Sequence, residues 1–243
     1  AYHYNTYEKN LLGWLPGANV STVAVDSTVR LYAHDLGVLD SQKTYAIKVR
    51  RDADRDFWLE FRQNSGFSSN PWLMNGIGVR WDRWAQSNSG SHLLDTTPFT
   101  PDGKSDAGIV LGRTWTDPVS RINITPVAKI TGAEPAMDVR VTFGRSANAP
   151  TGSLSAPSTT VPVGQTLNFS VAASDADGDQ LAYHWDFGDK TFGLNQNTAA
   201  KSWTTAGKYR VRVTVSDMRG NTWSDSVVVT VGAPPSNRYQ VDG

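Results

Sequence analysis

Cysteine is absent from the 243-residue chain. Without a thiol, the chain can form no disulfide bond, no cysteine nucleophile and no thiolate metal site. An excess of charge of one sign is also lacking, because 23 lysines and arginines balance 23 aspartates and glutamates. A neutral chain without a block of like charge favours neither nucleic acid nor an anionic membrane surface as a partner.

Long apolar runs are missing as well. Stretches such as residues 227–229 (Val-Val-Val) are far shorter than the roughly 20 apolar residues that cross a bilayer, so we expect no membrane span. The chain also opens without a charged segment followed by an apolar one. Either it never had a signal peptide or it is a mature or trimmed product, and we expect the second.

Histidine is scarce, and its distribution argues against catalysis. The four histidines are His3, His34, His92 and His184. None belongs to an H-E-x-x-H motif, the arrangement of two zinc ligands and a base that a zinc peptidase needs, so we expect no zinc in this chain. A Gly-x-Ser-x-Gly elbow is also absent, and His34 with Asp35 is predicted to be an exposed turn rather than part of a triad. We expect the chain not to be an enzyme.

Glu60 is the strongest remaining candidate for acid–base chemistry, because paired carboxylates on a β-sandwich can hydrolyse glycosides. It lies in an alternating strand next to Arg62 and near Arg50 and Arg51. The residues favour a simpler interpretation, a cross-strand ion pair on the solvated face of the sheet, which would contribute about 1 kcal/mol or less.

Short alternating segments dominate the chain, whereas helical periodicity is confined to residues 5–12. The predicted strands of the first part are residues 28–33, 45–50, 57–62, 76–81 and 137–143, and those of the second part are 167–173, 181–187, 209–215 and 226–231. About eight to ten strands over residues 12–145 predict a jelly-roll-like β-sandwich. The fold class is therefore all-β.

A stretch poor in bulky apolar residues separates the two sets of strands. Residues 146–158 hold two prolines and a glycine, which is typical of a linker. The predicted organisation is residues 1–15 as the tail of an upstream catalytic domain, 16–145 as the first sandwich, 146–158 as the linker, 159–232 as the second sandwich and 233–243 as a tail.

Several segments of the second part occur in an order that points to a known domain. They are residues 163–165 (Val-Gly-Gln), 175–181 (an acidic turn), 183–189 (Tyr-His-Trp-Asp-Phe-Gly-Asp), 206–209 (Ala-Gly-Lys-Tyr) and 216–217 (Ser-Asp). Together they resemble the polycystic-kidney-disease (PKD) domain over residues 150–232. The resemblance implies an immunoglobulin-like sandwich appended to a secreted or surface protein. Lys190 departs from it, because the family usually has a glycine there.

The acidic turn places Asp175, Asp177 and Asp179 at alternate positions around Gly178. Alternate carboxylates with a glycine between them can converge on a hard cation such as calcium. The alternative is a solvated turn whose aspartates accept bonds from their own backbone. Related PKD modules of bacterial collagenases carry calcium near this turn, so the resemblance implies calcium as a candidate cofactor.

The first part contains a second ordered set of motifs. They are residues 3–15 (ending in Leu-Gly-Trp-Leu), 57–62 (Phe-Trp-Leu-Glu-Phe-Arg), 76–79 (Gly-Ile-Gly-Val), 93–98 (Leu-Leu-Asp-Thr-Thr-Pro) and 112–117 (Gly-Arg-Thr-Trp-Thr-Asp). This set resembles the region that follows the catalytic domain in gametolysin-like and immune-inhibitor-A-like zinc metallopeptidases. The resemblance implies a catalytic domain upstream of a chain that is itself non-catalytic.

Aromatic side chains are the candidate ligand-binding residues. Phe67, Trp72, Trp81 and Trp84 cluster around loops rich in asparagine, serine and glycine, where planar rings can bind extended polypeptide or sugar faces. The other interpretation is that Trp72 and Trp81 fill the core.

The combined prediction is a monomeric accessory region of a secreted bacterial metallopeptidase, which positions protein substrate for an upstream zinc protease domain. The main alternative is a carbohydrate-binding module with a PKD spacer, whose partner is polysaccharide. A structural spacer, and a β-sandwich hydrolase that uses Glu60 or His34, are further alternatives.

Overall fold

The computed structural model describes residues 4–37, 39–64, 66, 69–82 and 90–232, which form two β-sandwiches in sequence. The first contains α1 (Thr6–Leu11), β1 (Val20–Val23), β2 (Ser27–Tyr32), β3 (Ala46–Arg50), β4 (Asp56–Glu60), α2 (Pro71–Met74), β5 (Gly76–Trp81), β6 (His92–Leu93), β7 (Ile109–Val110), β8 (Trp115–Thr116), β9 (Ile122–Ile130) and β10 (Ala136–Phe143). The second contains β11 (Thr151–Ser155), β12 (Thr160–Val161), β13 (Leu167–Ser174), β14 (Ala182–Asp186), β15 (Thr198–Lys201), β16 (Gly207–Ser216) and β17 (Thr222–Val231). The all-β prediction is confirmed.

The first sandwich consists of two sheets. One has the order β1-β3-β4-β5-β6, with β7 also paired to β5, and the other has the order β2-β10-β9-β8. Leu31, Ile47, Phe57, Ile124 and Val139 come from both sheets and are at most 1% exposed in the shared core. Burying each such side chain contributes roughly 1.5–3 kcal/mol, so this core is the main source of the domain's stability.

The N-terminal segment packs onto the outer face of the first sheet. Helix α1 begins after Asn5, whose side chain accepts a hydrogen bond of 3.0 Å from the backbone N–H of Glu8. Leu15 is fully buried in a small second core with Tyr45 and Trp58. Residues 4–15, predicted to be the tail of an upstream catalytic domain, therefore pack against the first sandwich.

The predicted linker is partly wrong, because Thr151–Ser155 form strand β11. This strand pairs antiparallel with β13, with Thr151 opposite Ser174. A Cβ atom at Gly152 would lie 3.0 Å from the ring of Trp223. Gly152, one of the residues that suggest a linker, thus allows β11 to pass close to an aromatic ring.

Hydrogen bonds between neighbouring residues hold two turns of the second sandwich, one after β14 and one before β16. Asp186 accepts a hydrogen bond of 2.8 Å from the backbone N–H of Gly188, and the hydroxyl of Tyr209 donates one of 2.9 Å to the carbonyl of Thr205. Lys190 adopts a φ of 63°, the left-handed conformation that a glycine takes most readily. At Lys190 this chain therefore has a lysine in a backbone conformation that favours glycine.

The two sandwiches contact each other directly. A ring nitrogen of His184, Nδ1, lies 3.1 Å from the carbonyl oxygen of Leu111, and the side-chain amide of Asn195 donates a 3.0 Å hydrogen bond to the carbonyl of Val127. At Gly112 the backbones come so close that a Cβ atom would lie 1.9 Å from the carbonyl oxygen of Tyr183. Residues of both domains thus form one interface.

Among the described helices, none has the length and apolar character needed to cross a membrane.

Candidate functional site

Glu60, at the end of β4, is the centre of a buried ionic cluster. Its Oε1 accepts hydrogen bonds from Nε of Arg62 at 3.3 Å and from Nε of Arg80 at 3.1 Å. Its Oε2 accepts bonds from the backbone N–H of Thr6 at 3.1 Å and from Nη2 of Arg62 at 3.4 Å. Both carboxylate oxygens are therefore satisfied, although Glu60 is only 2% exposed.

The solvated ion pair predicted for Glu60 is wrong, because helix α1 covers the outer face of β4. All five residues of β4 are buried. Across the sheet, Glu60 lies opposite Gly78, where a Cβ atom would lie 3.2 Å from Cγ of Glu60. Gly78 therefore leaves the space that the buried carboxylate occupies.

Electrostatics keep Glu60 ionised. Burial alone would raise the pKa of Glu60, but the nearby cations, Arg62 first and Arg80 with it, lower that pKa to about 2. A carboxylate held in this way is a poor general base or acid near pH 7. The cluster is therefore suited to holding parts of the structure together rather than to proton transfer.

His34 and Asp35 are buried, not exposed as the sequence predicts. Burial lowers the pKa of His34 to about 4, so its ring is neutral near pH 7, with Nε2 3.6 Å from Oε2 of Glu60. Asp35 accepts hydrogen bonds from the backbone N–H groups of Gln63 and Asn64, at 2.9 and 3.2 Å. Asp35 thus anchors a loop instead of orienting His34, and the described residues give no sign of a triad.

A pocket of about 430 Å³ opens beside the cluster. Its polar wall includes Glu60, Arg62 and Arg80, and Leu73 and Leu93 contribute apolar surface. The sequence gives little sign of this pocket, because its walls come from strands, from α2 and from a turn that are distant along the chain.

A cluster of carboxylates lies in the second sandwich, but its members differ from those predicted. Asp175, Asp179 and Asp217 each place a carboxylate oxygen within 4.8 Å of the others. The carboxylate of Asp177 instead accepts bonds from the backbone N–H and side-chain amide of Asn148, at 2.8 and 2.7 Å. Sequence spacing misses Asp217, because that residue follows β16, about forty positions along the chain.

The chemistry of this carboxylate cluster fits a hard cation. Oδ2 of Asp175 is buried and has no hydrogen-bond partner among the described residues. Asp217 is 1% exposed, and Nε of Arg219 donates a 3.1 Å bond to Oδ1 of Asp179. Three converging carboxylates still exceed the charge of Arg219 and of Arg140, which lines the same depression, and calcium prefers oxygen ligands of this kind.

The predicted aromatic residues do not form one surface within the described part of the chain. Phe67 and Trp84 lie outside the described residues. Trp72 precedes β5, and Trp81 ends it, so their Cα positions lie near opposite ends of that strand.

Trp72 lies at the domain interface. Its ring centroid is 6.4 Å from that of Phe192, and Nζ of Lys190 lies 5.1 Å from the Trp72 centroid. The Lys190 contact is a cation–π geometry, which adds to the attachment of the second sandwich.

Trp81 packs against the core of the first sandwich. Its ring lies 6.2 Å from that of Phe57, and the guanidinium groups of Arg51 and Arg55 lie 5.1 and 4.7 Å from its centroid. Ligand binding by these aromatic residues stays a prediction.

Comparison with known proteins identifies the second sandwich. Residues 147–231 match the family model of the PKD domain. The PKD prediction is confirmed for this part, and the C-terminal domain is a PKD domain. The match begins within the predicted linker, in agreement with the position of β11.

A curated relative is the pre-pro-metalloprotease PrtV of Vibrio cholerae serotype O1, which is 38% identical over 64 residues, or 26% of this chain. The matched region spans only 7% of that relative's length. Among solved structures, the PKD1 domain of Vibrio cholerae PrtV is 27% identical with a TM-score of 0.31, covering 35% of this chain and all of that one. The PKD domain of an M14-like peptidase from a Thermoplasmatales archaeon is 22% identical with a TM-score of 0.32, covering 36% of this chain and all of that one.

Proposed function

We propose that this chain is a non-catalytic accessory region of a secreted, extracellular metallopeptidase, in which it holds protein substrate close to a zinc protease domain located upstream. The observation that carries the proposal is the 38% identity over 64 residues to the metalloprotease PrtV. In this proposal the chain acts as a monomer whose partners are the protein substrate and the catalytic domain.

The proposed mechanism is an increase in local concentration. A binding region joined to a catalytic domain makes the encounter with substrate intramolecular, which can raise the effective substrate concentration to about the millimolar range. The direct contact between the two sandwiches supports this role, because it presents both domains to a substrate in one orientation. The low pKa of Glu60 supports a binding role rather than a hydrolytic one.

Retention on immobilised casein tests this function. We expect the 243-residue chain to be retained on casein and not on insoluble cellulose or chitin. If Phe67 and Trp84 contribute to binding as predicted, Trp84→Ala lowers the retained fraction severalfold. Trp14→Ala, which removes a tryptophan that is 55% exposed and outside the predicted set, serves as the control. Retention on polysaccharide alone would contradict the proposal and favour the carbohydrate-binding alternative.

The carboxylate cluster is the proposed site of calcium binding. Asp175, Asp179 and Asp217 would hold the ion, which would neutralise their mutual repulsion and fix the acidic turn against the loop after β16. Because Arg219 also pairs with Asp26 of the first sandwich, calcium at this position would bind next to the domain boundary. Its role would be structural.

Added calcium is therefore expected to raise the melting temperature of the chain. Saturation to about 100 times Kd would stabilise the folded state by about 2.7 kcal/mol. Asp175→Asn should abolish the shift, whereas Asp177→Asn should leave it intact, because the carboxylate of Asp177 bonds to Asn148. Calorimetry with calcium or with a chelator measures the shift in melting temperature for both variants. If the two variants lose the shift equally, the assigned ligands are wrong. If the unmodified chain shows no shift, the site is excluded.

A further inference from the structure

The pocket beside Glu60 has an uneven charge. Glu60 contributes one negative charge, whereas Arg62, Arg80 and Lys104 contribute three positive charges. The hydrogen bonds to Glu60 come from Thr6, Arg62 and Arg80, so its own charge is already compensated. The wall of the pocket therefore attracts an anion.

Two of these cations have hydrogen-bond donors that no described residue accepts from. Arg80 uses Nε for Glu60, and its terminal Nη atoms have no hydrogen-bond partner among the described residues. Lys104 is exposed at the rim, and within the described part of the chain it has no ion-pair partner. An arginine with free terminal nitrogens can hold a carboxylate in a forked geometry, and a nearby ammonium adds charge.

The rest of the lining is aliphatic. Leu73, Leu93 and Ala107 form the apolar part of the wall, and none of the described lining residues is aromatic. Leu93 is 41% exposed, so its side chain is accessible to a ligand. A volume of about 430 Å³ falls within the roughly 300–1,000 Å³ typical of small-ligand sites.

We propose that this pocket binds the C-terminal carboxylate of a polypeptide whose last residue has an aliphatic side chain. Arg80 and Lys104 hold the carboxylate, and Leu73 with Leu93 contacts the side chain. A sugar acid offers the same charge but no aliphatic group, and the lining lacks the aromatic face on which a sugar ring would stack. This inference rests on the proposed function to the extent that a protein substrate supplies the ligand.

Titration with N-acetyl-leucine at pH 7 tests the pocket, with N-acetyl-leucinamide as the matched neutral probe. In amide-resolved NMR, we expect the acid to shift the resonances of Gly78, Leu93 and Gly108, and the amide to bind at least about tenfold more weakly, because it lacks the charge that Arg80 and Lys104 recognise. Equal binding of acid and amide, or no binding of either, would overturn the proposal. Equal binding of glucuronate would overturn it in favour of a sugar acid.

Variants locate the interaction. Arg80→Gln should weaken binding of N-acetyl-leucine about tenfold or more, but it also removes a partner of Glu60 and can disturb the fold. Lys104→Gln changes only an exposed rim residue and should weaken binding severalfold, whereas Lys208→Gln, an exposed lysine of the PKD domain, should not. If Lys104→Gln and a correctly folded Arg80→Gln variant both bind N-acetyl-leucine as tightly as the unmodified chain, the assignment is overturned.

The outcome of this experiment is separate from that of the proposed function. If the chain is retained on casein but does not bind N-acetyl-leucine, the pocket inference fails and the accessory function stands. If the chain binds N-acetyl-leucine but is not retained on casein, the pocket inference stands and the accessory function fails.

Discussion

Glu60→Gln is expected to lower the free energy of unfolding of the first sandwich by about 3–5 kcal/mol, because it removes one partner from a buried ionic cluster. The glutamine keeps the size of the side chain but not its charge. Arg62 and Arg80 then lose the anion that compensates them, and Arg62 has only 6% of its side chain exposed to water. The bond from the backbone N–H of Thr6, which attaches helix α1 to β4, also weakens.

The matched control is Asp138→Asn. Asp138 pairs with Arg30 through a 2.8 Å bond, but Arg30 has 52% of its side chain exposed, so water replaces the lost interaction. The expected loss for this variant is less than about 1 kcal/mol. Urea unfolding, followed by hydrogen exchange of the amides in β3 and β4, measures both variants. Similar losses in the two would contradict the structural importance of the buried cluster.

The strands could be predicted from the sequence because alternation directly encodes which side chains share a face. Residues 76–81 are predicted as a strand and form β5, and the predicted helix over residues 5–12 contains α1. The turn bonds of Asp186 and Tyr209 are equally local, because each joins residues at most four positions apart. In each case the interaction that decides the structure lies within a few residues.

The burial of Glu60 could not be predicted, because it depends on a segment more than fifty positions away. An alternating strand normally has one solvated face, and that rule places Glu60 in water. Helix α1 covers this face, and the N–H of Thr6 bonds to the carboxylate across a separation of 54 residues. No local pattern around residue 60 reports that contact.

The acidic turn shows the same limit for the candidate metal site. Alternate spacing suggests that Asp175, Asp177 and Asp179 converge, but the turn directs Asp177 towards Asn148. The third carboxylate comes from Asp217, which follows the neighbouring strand β16. A local motif thus supplies two of the three ligands, and the fold supplies the last.

Gly112→Ala is expected to separate the two sandwiches. Gly112 has a φ of 78°, and a Cβ atom there would lie 1.9 Å from the carbonyl oxygen of Tyr183. The left-handed backbone alone costs about 1–2 kcal/mol for alanine, and an overlap of this size with backbone cannot be relieved by a side-chain rotation. The PKD domain must therefore move away, and the bond between His184 and Leu111 breaks with it.

Two measurements follow the separation. Small-angle scattering should show a larger radius of gyration, and NMR titration should show the pKa of His184 rising from about 4 towards its ordinary value of 6.5, because burial at the interface is the main cause of its lowering. Gly13→Ala is the control, since Gly13 has a φ of 74° with nothing within 4 Å of the added atom. That variant carries the backbone strain without the collision, so the domains should stay in contact. An unchanged pKa of His184 in Gly112→Ala would show that the interface tolerates the added methyl group and that the close approach at Gly112 does not hold the two domains together.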